Sequence, residues 1–391
     1  MDLNRRASMA GMLAALAAPT LAAARAARTA GSWTPVEAAA RKMVAGRLVP
    51  GLQICVRKRG ATVFSRGFGQ ADVETATPMT PASVCRIGSV SKQFTAAGIL
   101  LLVQDGKVAL DDPLSRFLPD FPNAERLTIR RLLSHTAGLG NYTETTPPEL
   151  IWQIARTDRD TAQMLEIMRN VGAKLIFEPG TNYRYSNTGF VLLGVVIEKA
   201  SGQTYRDFLQ ARLFTPLGLS HTAVDDVAEI VPNRAAGYTD DPKAPSGFDN
   251  ASFTSMTYPG GAGALRSTCE NLCGWHEALL GGKVLQPAML KAMLTPITLN
   301  DGSLPLQTNR KGERTPVRYG FGIGVNPVDG REAVSHGGSI QGFGSFLETL
   351  PAERTTMALI INSDGGAKAP ASFGPSWAEL QKVLRAAALA A

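Results

Sequence analysis

A hydroxyl and an amine stand three residues apart in RIGSVSKQF, where Ser89 and Lys92 precede the apolar run FTAAGILLLVQDGK. Side chains three apart on a helix share a face, with Cβ atoms roughly 5–6 Å apart. Lys92 can therefore reach the Ser89 oxygen, and a helix N-terminus there aims its dipole at developing negative charge. A serine hydroxyl attacks a carbonyl only once a base takes its proton, and a lysine is a base only when neutral. Burial or a neighbouring cation must lower its pKa for that. Standing alone, the pair reads as readily as a surface serine beside a solvated lysine.

It does not stand alone. The stretch EPGTNYRYSNTGFVLLG places Tyr185, Ser186 and Asn187 between a Gly/Pro turn and an apolar helix. A phenol and a carboxamide two apart in a loop can face one cavity, the phenol relaying a proton and the amide holding a substrate carbonyl or amide. Near the C-terminus, AVSHGGSIQGFGSF puts His336, Gly337, Gly338 and Ser339 on a predicted strand. Glycines in a strand let a substrate or another backbone approach closely.

Taken in order, GSVSK, YSN and HGG resemble the three boxes of the serine β-lactamase and penicillin-binding-protein superfamily. The likeness is closest to its class C branch, which includes D-alanyl-D-alanine carboxypeptidases, D-aminopeptidases and β-lactamase-like carboxylesterases. It also covers LTIRRLLSHTAGL, LFTPLGLSHT, GGAGALRSTCENL and the stretch from YGFGIGV to NSDG, so that it runs from about residue 33 to residue 390. The resemblance implies an α/β domain and a helical domain with the active site between them. It casts Ser89 as the acylated residue, Lys92 and Tyr185 as the proton-transfer pair, and Asn187 as a substrate-amide or proton-network contact. His336, Gly338 and Ser339 would bind substrate, with the backbone N–H groups of Ser89 and Ser339 as the oxyanion hole. It implies no metal and no cofactor.

One box departs from the β-lactamase pattern, which ends in K-T-G. Histidine, with an ordinary pKa near 6.5, is mostly neutral at pH 7. His336 should therefore attract the carboxylate of a β-lactam weakly and tolerate an uncharged ester. The expected activity is carboxylesterase-like, on a small-molecule ester, with D-alanyl-D-alanine carboxypeptidase, D-aminopeptidase or weak β-lactamase as the alternative. A non-catalytic, penicillin-binding-like sensor is the alternative from another class. His135, His221 and His276 lie outside the boxes and are read as structural.

The elements that must position these groups follow from patterning. Residues 33–48 have helical spacing, 52–69 read as two strands joined by a Gly-containing turn, and 94–106 as a buried helix. A short helix is expected within 127–139, and longer ones over 148–170 and 189–214. Ser267-Thr268-Cys269-Glu270 has the form of a capping box. Short β-rich runs at 319–325, 332–338, 343–351 and 355–363 precede a closing helix at 376–390. Strands at both ends with helices between predict an antiparallel sheet flanked by helices, an α/β (α+β) class. Residues 33–94 and 286–391 would form the sheet domain and 95–285 a mostly helical one.

Composition narrows the function classes. The net charge of +7 is spread over 391 residues without a basic stripe interleaved with aromatics, which excludes an ordinary nucleic-acid binder. MDLNRRASMAGMLAALAAPTLAAARA, residues 1–26, has a charged start, an Ala-rich run and small residues suited to cleavage near Ala22–Ala24. Arg5-Arg6 resembles a twin-arginine export signal, although Ser8 leaves the ordinary secretory route open. The run is too short and too weakly apolar for a membrane span, so a periplasmic or secreted mature protein is expected. Cys55, Cys85, Cys269 and Cys273 are too few for a disulfide scaffold and read as buried free thiols.

Overall fold

The computed structural model describes residues 33–308, 312–366 and 368–391; the segment read as an export signal lies outside them. The two ends of the chain meet in one seven-stranded antiparallel sheet. The N-terminal part supplies β1 (Gly51–Lys58), β2 (Ala61–Asp72) and β3 (Thr77–Pro78). The C-terminal part supplies β4 (Gly324–Val328), β5 (Arg331–Ile340), β6 (Phe343–Leu350) and β7 (Thr355–Ile361). The order is β4-β5-β6-β7-β1-β2-β3, and the seam pairs Leu52 with Ile361 and Cys55 with Ala358. Arg59 and Gly60 turn β1 into β2, both with positive φ, as a two-residue hairpin requires.

Alternation along β1 divides the core. Leu52, Ile54 and Val56 face α1 (Thr34–Ala45) and the C-terminal α7 (Phe373–Ala390), which meet them with Val36, Ala40, Met43, Leu380 and Leu384. Gln53 and Cys55 face the opposite way, against α6 (Cys269–Leu280). There Gln53 Oε1 accepts the backbone N–H of Cys269 at 3.0 Å, and Cys273 Sγ lies 3.6 Å from the Cys55 carbonyl. All four cysteines are buried and free. Trp275 of α6 stacks on Phe94 at 4.1 Å, tying the sheet to α2 (Ser91–Gln104). Every residue of α2 through Leu102 is buried, which explains its lack of a polar face. Each fully buried large apolar side chain contributes about 1.5–3 kcal/mol.

Several local expectations are corrected. Thr268 alone caps α6, accepting the N–H of Asn271, because Ser267 belongs to the strand before it; there is no capping box. The short helix expected within 127–139 is α3 (Ile129–Leu133), and the stretch 148–170 divides into α4 (Pro148–Ala155) and a second helix, Thr161–Ile167, opened by an Asp160–Gln163 capping box. The expected 189–214 helix is α5 (Asn187–Ser201), stopped by Gly202 at φ +75° and restarted at Tyr205. In 319–325 only the end is strand. Phe321 and Gly322 instead donate backbone hydrogen bonds to Met293 and Leu133. Among the described residues no helix is long and apolar enough to cross a membrane.

Two of the histidines read as structural are enclosed and neutral. Gln93 Oε1 faces His276 Nε2 at 2.9 Å and Thr349 Oγ1 faces its Nδ1 at 2.8 Å; burial lowers its pKa to about 3. His135, 2% exposed, is held well below its ordinary value, chiefly by burial. The unfolded chain protonates both below pH of about 6.5 while the fold does not, so stability falls as the pH drops from there. Each group removes up to about 1.4 kcal/mol per pH unit. Urea unfolding should lose about 2–3 kcal/mol between pH 6 and 5 from these two alone. His276→Gln should flatten that slope; an unchanged slope in a folded variant contradicts the assignment.

Candidate active site

Ser89 sits in a single 3-10 turn, Gly88–Val90, that runs directly into α2. The turn brings its hydroxyl over Lys92, whose Nζ lies 3.0 Å from Ser89 Oγ. Lys92 is 0% exposed, and its other partners are the carbonyl oxygens of Asn187, at 2.8 Å, and Ala262, at 2.7 Å. All three partners are uncharged. Desolvation therefore drives the lysine pKa well below its ordinary value. The rings of Tyr185 and Phe190, 4.7 and 5.5 Å from Nζ, favour the charged form but do not offset full burial. A neutral amine fits this cage well. Its two N–H bonds serve the two carbonyls, and its lone pair faces the serine proton.

Tyr185 and Asn187 arrive on a loop braced from behind. Ser186 donates its N–H to His135 Nδ1 at 3.2 Å and its hydroxyl to the Gly140 carbonyl at 3.0 Å. Asn187 donates its N–H to Asn141 Oδ1 at 3.1 Å, and its Nδ2 to Thr143 Oγ1 at 3.3 Å. His135, at φ +59°, packs its ring 4.3 Å from that of Tyr185, so its role is to hold the loop. Burial pushes the pKa of the Tyr185 hydroxyl upward, against the opposing influence of the nearby Ser89 hydroxyl. It is consequently a phenol at neutral pH, able to donate a proton, whereas the buried Lys92 amine is able to accept one.

Ser89 and Asn187 open onto a cleft of about 510 Å³. Ser89, Asn187, Ser339 and the Gly263 backbone line one side, and Ile151, Trp152 and Tyr258 give it apolar walls. Trp152 is 42% exposed on α4. Among the described lining residues, Asp364 is the one carboxylate, and there is no lysine, arginine or histidine. No cluster of described side chains could hold a metal ion.

Comparison with known proteins decides the family. The Beta-lactamase family model matches residues 36–379. The chain belongs to the Beta-lactamase family. It is 30% identical over 320 residues to a penicillin-binding protein of Bacillus subtilis (strain 168), covering 78% of this chain and 66% of that one. It is 26% identical over 339 residues to a D-aminopeptidase of Gluconobacter oxydans (strain 621H), covering 84% and 58%. The chain thus matches about three fifths of the length of these relatives. A solved D-amino acid amidase from Ochrobactrum anthropi SV3 superposes with a TM-score of 0.76 at 26% identity, covering 91% of this chain and 99% of that one.

The third box of this Beta-lactamase-family chain divides in two. Gly338 and Ser339 close on the turn that carries Ser89. A Cβ on Gly338 would lie 2.1 Å from the Ile87 carbonyl oxygen, and one on Gly88, at φ +49°, would lie 2.9 Å from Ser339 N. Only glycines allow this approach. It sets the backbone of Ser339 beside that of Ser89, where two N–H groups can meet an oxyanion. β4 pairs with β5 only as far as Ser335, so that edge of the strand is open beside Ser339. His336 stands behind the reacting groups, its ring 6.4 Å from that of Tyr185. Its Nδ1 lies 2.6 Å from the Gly337 carbonyl, so it donates there, and Nε2 accepts the Tyr319 hydroxyl at 2.9 Å. Burial, and then the nearby Lys92, lower its pKa to about 4. The ring is neutral, as its type suggested, and like Lys92 and Tyr185 it is not among the residues that line the cleft.

The sequence left some of the cage unseen. The Ala262 carbonyl is a main-chain acceptor with no side-chain signal beyond the glycines of GGAGAL. Thr143 and Asn141 carry no motif, and Tyr319 was hidden in a run read as strand.

Proposed function

We propose that this Beta-lactamase-family serine hydrolase cleaves the amide bond of small amides and short peptides through a Ser89 acyl-enzyme, with activated esters turned over by the same route. The observation that carries this reading is the fully buried Lys92 amine between two carbonyls, facing Ser89 Oγ at 3.0 Å. Ser89 Oγ attacks the carbonyl carbon as its proton passes to Lys92. The N–H groups of Ser89 and Ser339 receive the oxyanion; each such donor typically contributes about 3–4 kcal/mol. The C–N bond breaks as the Tyr185 phenol gives the leaving nitrogen a proton, and Lys92 returns one to Tyr185. Water then repeats the sequence on the acyl-enzyme and frees Ser89.

The D-aminopeptidase and D-amino acid amidase among the similar proteins support amides over esters as the principal substrate class. The carboxylesterase reading keeps one supporting observation, the uncharged, partly apolar cleft wall at Ile151 and Trp152. The same lining counts against β-lactams and D-alanyl-D-alanine peptides, whose leaving-group carboxylates would find no cation among the described lining residues. The nearness of Ser89 and Lys92, and the hydrolases among the similar proteins, support a catalytic chain over a non-catalytic sensor. The N-terminal signal supports action in the cell envelope after export.

The test compares kcat/KM for a D-amino acid amide, its L-enantiomer, p-nitrophenyl butyrate, nitrocefin and a D-Ala-D-Ala peptide. The D-amide and the ester should turn over and lose activity together in Ser89→Ala. Nitrocefin should fall at least tenfold below the ester, and the D-Ala-D-Ala peptide at least tenfold below the D-amide. Nitrocefin as the best substrate would overturn the proposal.

A further inference from the structure

We propose that Asp364, backed by Asp240, forms a cation subsite at the far end of the cleft, binding an amino, guanidino or quaternary ammonium group on the acyl part of the substrate. This rests on the hydrolase reading above and adds what the acyl part carries. Tyr185, the proton donor, must face the leaving group. The acyl part then occupies the rest of the cleft, which runs past Ser339, Ile340 and Gln341 to Asp364.

Asp364 has unused acceptor capacity. Its Oδ2 accepts the Thr239 hydroxyl at 2.7 Å and the Gly342 N–H at 3.4 Å, and Oδ1 accepts the Gly366 N–H at 3.1 Å on the exposed side. A carboxylate offers about four acceptor positions. Among the described residues no lysine or arginine pairs with it; Lys368, close in sequence, pairs with Asp241 at 3.8 Å. Behind it, Asp240 is 1% exposed, accepts the Ser363 hydroxyl at 3.3 Å on Oδ2, and has no partner for Oδ1. Burial, and then the charge of Asp364, push the Asp240 carboxyl upward. Two carboxylates thus share a neighbourhood without a cation to relieve them.

The neighbouring arginines do not cancel this. Arg86, Arg234 and Arg266 lie in an adjoining cavity of about 190 Å³ beyond Gln341, where Asp225 and Glu229 hold them. Asp364 meets the tip of the β5–β6 hairpin, where Gln341 and Gly342 turn the chain, Gly342 at φ +79° and its N–H 3.4 Å from Asp364 Oδ2. The carboxylate therefore lies past the end of the strand that carries Ser339, where a cationic group set out from the scissile carbonyl on the acyl part meets it.

The test uses p-nitrophenyl 6-(trimethylammonio)hexanoate and its uncharged carbon isostere, p-nitrophenyl 7,7-dimethyloctanoate. Wild-type protein should show kcat/KM at least fivefold higher for the cationic ester at low salt, with the ratio shrinking at 0.5 M NaCl because the charges are partly exposed. The ratio should collapse toward one in Asp364→Asn and survive in Asp364→Glu, with melting curves confirming both folds. A wild-type ratio of one or below, or an unchanged ratio in folded Asp364→Asn, overturns the subsite. Failure to hydrolyse either ester overturns the hydrolase reading itself, and this inference with it.

Discussion

Ser89→Ala is expected to remove essentially all turnover, and Lys92→Met to lower kcat by about 10³–10⁴, the range for loss of an activating base. Methionine fills most of the volume of the lysine stem without an amine, so the loss should be chemical. The two residues act as a unit. The double variant should therefore be no worse than Ser89→Ala alone. Lys92 is 0% exposed with no charged partner, so replacing it with an apolar side chain should not unfold the protein, although it leaves the carbonyls of Asn187 and Ala262 without a donor. Rates on a D-amino acid amide and on p-nitrophenyl butyrate, with thermal melts as the folding control, check this. Lys92→Met within tenfold of wild type on both substrates would show that the base lies elsewhere.

Tyr185→Phe carries the second large effect, and its pattern matters more than its size. Burial holds the phenol protonated beside Ser89, so its task in the proposed mechanism is to supply a proton as the leaving group departs. An amine leaves poorly without one, whereas p-nitrophenolate leaves unaided. Amide turnover should fall by about 10²–10³, ester turnover by far less, and KM little in either case because the ring still packs against His135 at the same place. Equal losses on both substrates would recast Tyr185 as a base or as a purely structural residue.

The architecture was legible from the sequence because its signals are local. Alternation in 52–69 and 343–363 marks strands, and the joining of both chain ends in one sheet follows from where those runs lie. The approach of Lys92 to Ser89 was legible because side chains three apart need only a helical turn to bring them together. What failed was set by tertiary contacts. Tyr319 leaves the strand pattern because Phe321 and Gly322 bond backward to Met293 and Leu133, and that detour is what places its hydroxyl on His336. With His336 so engaged, what the third box brings against the Ser89 turn is the backbone of Ser339, through the absent side chains of Gly88 and Gly338. The imidazole bonds with Tyr319 and Gly337 while its ring stays 6.4 Å from that of Tyr185. Asp364, in a loop after the last strand, has no periodicity or motif to announce it.

The central claim is covalent: an acyl group forms on Ser89 because Lys92 is neutral. Incubation with a fluorophosphonate probe, followed by intact-mass measurement and peptide mapping, tests it directly. Stoichiometric labelling of wild-type protein on Ser89 is expected, with none in Ser89→Ala and labelling slowed by orders of magnitude in Lys92→Met. A label on another residue, equal labelling of Ser89→Ala, or full-speed labelling of Lys92→Met would contradict it.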